Sequence, residues 1–301
     1  MRRPLKRKLT SFITLLIAAI AAIFYLTKEY DHLFDFTPDS LPAEGSCSVY
    51  FIDVGQGDCS LISCNGVNFL IDAGENNRGD DVLLKLRELN IDTLDYVIGT
   101  HAHSDHIGGL DTVINGVTVK NIILSDLPDK LVPTTKTYND LLNAIVENEV
   151  NLIPAEAGDS FDIGSGKLTI LSPLTDEYSN LNNWSIITRF VFGETSFLFT
   201  GDAETAVEKD LIENGSNVSA TLLKVSHHGS NTSSSKDFLK EVAPDYAVIE
   251  VGEGNSYGHP HSEILTSLEA IGAEVYRTDI NGDITAVSDG KTITVSCENE
   301  G

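Results

Sequence analysis

Three histidines and one aspartate lie within six consecutive positions, directly after a mostly apolar run. The run, residues 95–99, is predicted to form a buried strand, and His101, His103, Asp105 and His106 follow it. Imidazole and carboxylate groups are common ligands of divalent transition metals. In an extended turn His101 and His103 point to the same side, so we expect them to bind one ion. Asp105 and His106 are then expected to bind a second ion, whereas a solvated polar loop is the alternative interpretation.

Two further predicted strands also end in polar side chains. Asp202 follows the predicted strand 195–199, whose last three residues are apolar, and precedes a predicted helix. It is therefore either a helix N-cap or a carboxylate that bridges two ions. Residues 221–225 are predicted to form a strand that runs into His227 and His228. Because adjacent side chains on a strand point to opposite faces, we assign His227 to the metal site and His228 to substrate or to a structural role.

Two loops offer candidate substrate contacts. His259 and His261 flank Pro260 before a predicted helix, where they are either exposed residues of a helix start or contacts at the site rim, with His259 as a proton donor. The hydroxyl-rich residues 230–235 precede another predicted helix, and Lys224 is nearby in the sequence. Free amides at a helix N-terminus can bind an anion, so Ser230 is assigned to the substrate, with an ordinary serine cap as the alternative.

The first 27 residues are predicted to form a membrane anchor. Residues 9–26 carry no charged side chain and are just long enough to cross a bilayer. Five basic side chains precede them, which predicts a single-pass protein with its domain outside the cytoplasmic membrane. A cleaved secretory signal is the alternative, and the domain would then be secreted. Residues 28–45 are predicted to be a linker, and residues 46–301 one large domain.

Composition limits the partners and the kinds of metal site. Asp and Glu number 45 against 20 Lys and Arg, giving a net charge of −25, and such a surface repels long polyanions unless a metal or a basic patch intervenes. None of the four cysteines forms a Cys-x-x-Cys pair, which disfavours a thiolate zinc site. Cys47 and Cys64 fall on two strands of a predicted hairpin, and a disulfide between them is permitted outside the cell.

Several motifs together resemble one protein family. They are residues 54–58 (Val-Gly-Gln-Gly-Asp), Asp72 in residues 69–74, the His-x-His-x-Asp-His run, residues 198–202 (Leu-Phe-Thr-Gly-Asp), residues 226–230 (Ser-His-His-Gly-Ser) and residues 257–261 (Tyr-Gly-His-Pro-His). The set is similar to the metallo-β-lactamase superfamily and, within it, to the C-terminal hydrolase domain of ComEC-type DNA-uptake competence proteins. The resemblance covers about residues 47–290.

The resemblance implies an α/β fold, an αββα four-layer sandwich with metals at one edge, here preceded by one transmembrane helix. It also implies two divalent ions, zinc or alternatively manganese, with Asp58 and Asp72 supporting the ligands by hydrogen bonds. One departure is that no histidine lies between His106 and His227. The expected first site is therefore only His101, His103, Asp202 and a hydroxide. The expected second site is formed by Asp105, His106, Asp202, His227 and the same hydroxide.

The predicted function is metal-dependent hydrolysis of a phosphodiester outside the cytoplasmic membrane, with DNA as a candidate substrate. Asp105 would orient the attacking hydroxide in addition to binding metal. Three alternatives stay open: a small or cell-envelope phosphoester substrate, a lactonase or β-lactamase activity, and a non-catalytic metal-binding module that assists DNA uptake.

Overall fold

The computed structural model describes residues 45–299, which form two β-sheets with helices on their outer faces. The strands are β1 (Cys47–Phe51), β2 (Ser60–Cys64), β3 (Val67–Ile71), β4 (Thr93–Gly99), β5 (Thr118–Leu124), β6 (Asn151–Pro154), β7 (Ser160–Ile163), β8 (Gly166–Ile170), β9 (Thr188–Phe192), β10 (Thr195–Phe199), β11 (Leu222–Lys224), β12 (Tyr246–Ile249), β13 (Glu274–Arg277), β14 (Ile284–Ser288) and β15 (Ile293–Cys297).

The helices include four that are only one or two turns long. They are α1 (Gly79–Glu88), α2 (Ser104–Ile107), α3 (Leu110–Gly116), α4 (Lys136–Glu147), α5 (Thr205–Glu213), α6 (Lys236–Val242), α7 (Ser262–Ala270) and α8 (Thr278–Asn281). Short 3₁₀ turns cover Asn182–Trp184 and Ser226–Gly229.

Each sheet is antiparallel on one side and parallel on the other. The first has the order β15-β14-β1-β2-β3-β4-β5-β6, and its strands from β3 to β6 are parallel. The second has the order β13-β12-β11-β10-β9-β8-β7, and its strands from β10 to β13 are parallel. Parallel strands place their carboxyl ends at one edge of a sheet, which is where sites of α/β proteins collect.

Three apolar layers hold the molecule together. The middle layer lies between the sheets and contains the fully buried Phe69, Phe190 and Phe197. A second layer joins the first sheet to α1, α3 and α4, and a third joins the second sheet to α5, α6 and α7. Helix–sheet–sheet–helix layering follows, because each sheet has two apolar faces to cover. The predicted four-layer α/β sandwich is thus confirmed.

The membrane anchor predicted for residues 1–27 precedes the part of the chain that the structure describes. Within residues 45–299, no helix is long and apolar enough to span a bilayer. The predicted anchor and almost all of the linker lie outside the described residues.

The predicted hairpin is present, and it places Cys47 opposite Cys64 in the register of β1 and β2. These two cysteines form the expected disulfide.

We expect the layer between the sheets to dominate stability. Phe197→Ala removes a fully buried ring that lies 5.9 Å from the ring of Phe190, and should lower the free energy of unfolding by about 3–5 kcal/mol. Urea denaturation of the full chain can be followed through Trp184, the single, buried tryptophan. The control Leu84→Ala, on the exposed face of α1, should change stability by no more than about 0.5 kcal/mol. Equal losses in both variants would contradict this assignment of the core.

Candidate metal centre

Asp72 holds the histidine motif in place through hydrogen bonds to Thr100 and His106. It follows β3, is fully buried, and has a left-handed backbone conformation with φ of 61°. Its carboxylate accepts hydrogen bonds from the Thr100 amide at 2.8 Å and the Thr100 hydroxyl at 2.6 Å. It also lies 2.8 Å from Nδ1 of His106. Because Nδ1 is engaged in this way, Nε2 of His106 is left to face the centre.

His101 and His103 converge, as the sequence predicts. Nε2 of His101 lies 2.9 Å from Nδ1 of His103. The extended backbone ends at His103, which is the N-cap residue of α2. Asp105 and His106 therefore lie on a helical turn, rather than on the continuous extended turn expected from the sequence. The reversal into α2 turns these two side chains toward the second sheet.

The loop after β1 closes against this motif. The Asp58 amide donates to the Asp105 carbonyl at 3.1 Å. Gly57 has a φ of 134°, and a Cβ atom there would lie 2.2 Å from the same carbonyl. Only glycine fits such an approach. The Gly-Gln-Gly-Asp sequence thus brings Asp58 into contact with the metal-binding motif.

Asp202 is not a helix cap. The N-cap residue of α5 is Glu204, and the Asp202 amide donates to the Ser185 hydroxyl at 3.0 Å. The Asp202 side chain is 3% exposed and points into the centre instead. The N-cap alternative from the sequence is therefore excluded.

The two carboxylate oxygens of Asp202 face different groups of histidines. Oδ1 lies 3.2 Å from Nε2 of His106 and 3.6 Å from Nε2 of His228. Oδ2 lies 3.6 Å from Nε2 of His227 and 3.8 Å from Nε2 of His101. One carboxylate thus stands between two sets of nitrogen atoms.

The backbone at His227 and His228 differs from the predicted strand. β11 ends at Lys224, and residues 226–229 form a 3₁₀ turn in which both histidines have a φ of 52°. The rule that adjacent side chains alternate between faces applies only to extended strands. The reason for choosing His227 over His228 was therefore wrong, because this backbone lets both imidazoles face the centre.

His228 is the deeper of the two. It is 2% exposed, and its Nδ1 donates to the Glu250 carbonyl at 2.8 Å. Its Nε2 lies 3.4 Å from Oδ2 of Asp105. His227 has a side-chain exposure of 20%, and its Nδ1 lies 3.1 Å from the Thr232 hydroxyl. Each imidazole is oriented through Nδ1 and presents Nε2 to the centre, the usual arrangement of metal-binding histidines.

The donor set suits a metal site. Atoms of Asp105, His106, Asp202 and His228 all lie within 4.8 Å of one another. Three of these atoms, Nε2 of His106, Oδ1 of Asp202 and Nε2 of His228, are buried without a hydrogen-bond partner in the described part of the chain. Buried polar atoms ordinarily have a partner. With His101 and His103 beside them, the cluster has the donors for a dinuclear site.

The electrostatics of the cluster also favour a cation. Burial by itself would lower the pKa of His228, but Asp202 and Asp58 raise it to about 10. Burial would raise the pKa of Asp202, yet His106 and His228 hold it well below its usual range. The carboxylates thus stabilise positive charge at the histidines. His101 differs, because burial and the nearby His106 lower its pKa well below the usual value.

A buried ion pair that the sequence analysis missed supports the centre. Lys224 is 1% exposed and donates to Asp58 and to the Gly201 carbonyl. Asp58 in turn lies 3.2 Å from Nδ1 of His228 and 3.7 Å from Nδ1 of His106. Lys224 is therefore a structural cation and does not contact an anionic substrate. The position of Lys224 among apolar strand residues was the sequence feature that could have indicated a buried ion pair.

The predicted anion site at residues 230–235 is wrong. The amides of Ser234 and Ser235 both donate to Glu208, a buried carboxylate on α5. The Ser235 hydroxyl caps α6 by accepting from the Phe238 amide, so the serine-cap alternative is correct. Ser230 is 4% exposed and bonds to Thr232. Ser230 therefore supports Thr232, whose hydroxyl lies beside Nδ1 of His227, and does not line the pocket.

A pocket of about 330 Å³ opens beside the cluster. Its lining residues are Gln56, His103, Ser104, Asp105, Asn182, Asp202, His227, His228, Tyr257 and His259. Burial and the neighbouring His228 and His227 lower the pKa of His259 to about 4, so its imidazole is neutral at pH 7. His261 does not line the pocket. It is the N-cap residue of α7, and its Nδ1 accepts from the Asn231 amide at 3.2 Å.

A two-sheet α/β sandwich with a His/Asp cluster at the carboxyl ends of its strands defines a class of metal-dependent hydrolase folds. Residues 52–252 match the model of the metallo-beta-lactamase superfamily, and the chain belongs to this superfamily. The metallo-beta-lactamase fold protein YhfI from Bacillus subtilis has the same fold, with a TM-score of 0.52, 14% identity, and coverage of 83% of this chain and 100% of that one.

Within the superfamily the chain is similar to competence proteins, as its motifs indicate. It is 32% identical over 262 residues to ComE operon protein 3 of Bacillus subtilis (strain 168), covering 81% of this chain and 33% of that protein. It is 29% identical over 249 residues to Competence protein ComA of Neisseria gonorrhoeae, covering 82% and 33%. The chain thus spans about a third of the length of these relatives.

Asp202→Ala should remove most of the bound metal, because one carboxylate lies between both groups of histidines. Elemental analysis of the purified full chain provides the measurement. The control Asp245→Ala changes an exposed carboxylate just before the amino end of β12, away from the carboxyl ends of the strands, and should keep the wild-type metal content. Full metal retention in Asp202→Ala would rule out a bridging role.

Proposed function

We propose that the chain is a two-metal phosphodiesterase of the nuclease type, with DNA as its substrate. The observation that carries the proposal is the division of the Asp202 carboxylate between two sets of imidazoles. A bridging carboxylate of this kind is typical of centres that hold two ions about 3.5–4 Å apart. We take the ions to be zinc, with manganese as the alternative.

We assign four protein ligands to each ion. His101, His103 and His227 would hold one ion together with Oδ2 of Asp202. Asp105, His106 and His228 would hold the other together with Oδ1. This revises the ligand sets expected from the sequence, in which His227 belonged to the second ion and the first lacked a third histidine. In the revised assignment His227 supplies that histidine, supported by its 3.6 Å approach to Oδ2 of Asp202.

When bound, the two ions would activate water and neutralise charge on a phosphoryl group. The protein residues orient the attacking water and the substrate. Asp105 lines the pocket, and although burial by itself would raise its pKa, His106 and His228 keep the pKa below its usual range. Asp105 is thus a carboxylate that can orient the attacking water. His259, the neutral imidazole at the rim, is not an acid at pH 7, so we assign it a hydrogen bond to the substrate in place of the predicted proton donation.

In this pocket the ions themselves would neutralise a bound phosphodiester. No lysine or arginine is among the described residues that line the pocket. An anionic substrate would therefore depend on the ions instead of on basic side chains. The net charge of −25 disfavours close contact with a long polyanion, which keeps a small or cell-envelope phosphoester as the second candidate. The similarity to competence proteins favours DNA.

We further propose that residues 1–27 anchor the domain outside the cytoplasmic membrane. The uncharged residues 9–26 and the five basic side chains before them support this orientation. A hydrolase placed there would meet DNA or envelope phosphoesters before they enter the cell.

The ligand sets predict separate losses of metal. His227→Ala and His228→Ala should each lose about one ion per chain, and the double variant should lose nearly all metal, because each set would be left one donor short. Elemental analysis is again the measurement. His261→Ala, a histidine outside the pocket lining, is the matched control. If His227→Ala keeps both ions, His227 is not a ligand and the first ion has only two histidines.

The activity predicts a substrate order. The purified full chain, loaded with zinc or manganese, should cleave single-stranded DNA and bis(p-nitrophenyl) phosphate faster than a lactone or a β-lactam. Asp105→Asn should lower kcat by at least about a hundredfold, while the surface control Asp245→Asn should not. Turnover of the lactone or β-lactam alone would contradict the proposal. DNA binding with both ions present and no cleavage would favour the accessory module.

A further inference from the structure

An exposed aromatic ring stands at the mouth of the pocket. Tyr257 is 63% exposed and is the one aromatic residue among the strongly exposed large hydrophobic side chains of residues 45–299. It also lines the pocket together with His259. Tyrosine offers a large, rigid ring and loses little conformational entropy when it is immobilised, which suits it to contact a ligand.

The backbone that carries this ring is held in place by one side chain. Oδ1 of Asn255 accepts hydrogen bonds from the Tyr257 amide at 3.2 Å and the His259 amide at 3.0 Å. Nδ2 of Asn255 donates to the carbonyl groups of Gly252 at 3.0 Å and His259 at 2.6 Å. The Gly252 amide donates to the side chain of Gln56, another residue of the pocket lining. The loop is thus tied to the pocket wall.

One face of the ring already has a stacking partner. The rings of Tyr257 and His259 are stacked, with centroids 5.6 Å apart and planes 24° apart. The ring of His259 in turn contacts those of His227 at 5.6 Å and His261 at 5.0 Å. The exposure of Tyr257 leaves its ring accessible to a further planar group. The surface is prearranged, which reduces the entropy cost of binding.

We propose that Tyr257 forms a stacking subsite for a nucleobase attached to the phosphate held at the metal centre. Every nucleobase has a π face that can stack on an aromatic side chain. Within residues 45–299, the pocket lining offers no lysine or arginine for backbone phosphates, so contact with the base would supply binding energy that basic residues supply in other proteins. The inference rests on the proposed phosphoester function and narrows its substrate to nucleotides, against simple alkyl or sugar phosphoesters.

Binding of two matched monophosphates tests the subsite without turnover. Thymidine 5′-monophosphate and 1,2-dideoxyribose 5-phosphate share phosphate and sugar and differ by the base. Titration calorimetry on the metal-loaded full chain should show the nucleotide binding about tenfold more tightly. In Tyr257→Ala this ratio should fall close to one, whereas Tyr257→Phe and Tyr257→Trp should retain it. Metal content, measured in parallel, should equal that of the wild type in all three variants.

Three outcomes would overturn the subsite: equal binding of both ligands by the wild type, no binding of either, or an unchanged ratio in Tyr257→Ala. Cleavage of the dinucleotide thymidylyl-thymidine is measured separately. A base preference that depends on Tyr257, without any cleavage, would support the subsite and contradict the proposed hydrolase. Cleavage without a base preference would support the proposed hydrolase and contradict the subsite.

Discussion

The buried ion pair between Lys224 and Asp58 is the interaction on which the rest of the centre depends. Both side chains are nearly inaccessible to solvent, and an unpaired charge at such depth costs several kcal/mol. Lys224 also donates to the Gly201 carbonyl, next to Asp202, while Asp58 contacts His228. One ion pair therefore joins the loop after β1 to the carboxyl ends of β10 and β11, and so connects the two sheets at the metal-binding edge.

The buried carboxylates near the centre also favour cations at this site. Asp58, Asp72, Asp202 and Glu250 are all buried near the centre, and Lys224 is the lysine buried with them. Desolvation, and after it the neighbouring Asp58, raise the pKa of Glu250 to about 8. Divalent ions would offset the charge of the buried carboxylates and, in the proposed function, would also attract the phosphate of a nucleotide to an otherwise acidic protein.

Local sequence patterns predict most secondary-structure elements but not all of their ends. The predicted strand at residues 95–99 begins two residues earlier, at Thr93, which pairs with Thr118 of β5. The predicted strand 221–225 is β11, Leu222–Lys224. The layering of the sheets came from the family resemblance, since strand order depends on contacts between distant residues, such as the pairing of β1 with β14.

The sequence by itself determined the chemical types of the donors and their place after apolar strands, because a rigid strand end aims whatever side chain follows it. Only the tertiary structure decided that both His227 and His228 face the centre, since that depends on two positive φ angles that alternation along a strand cannot predict. Tertiary contacts also decided that Glu208, far from residues 230–235 in sequence, occupies their amides. They likewise buried Lys224 against Asp58. Long-range burial and backbone conformation leave no periodic trace in a sequence.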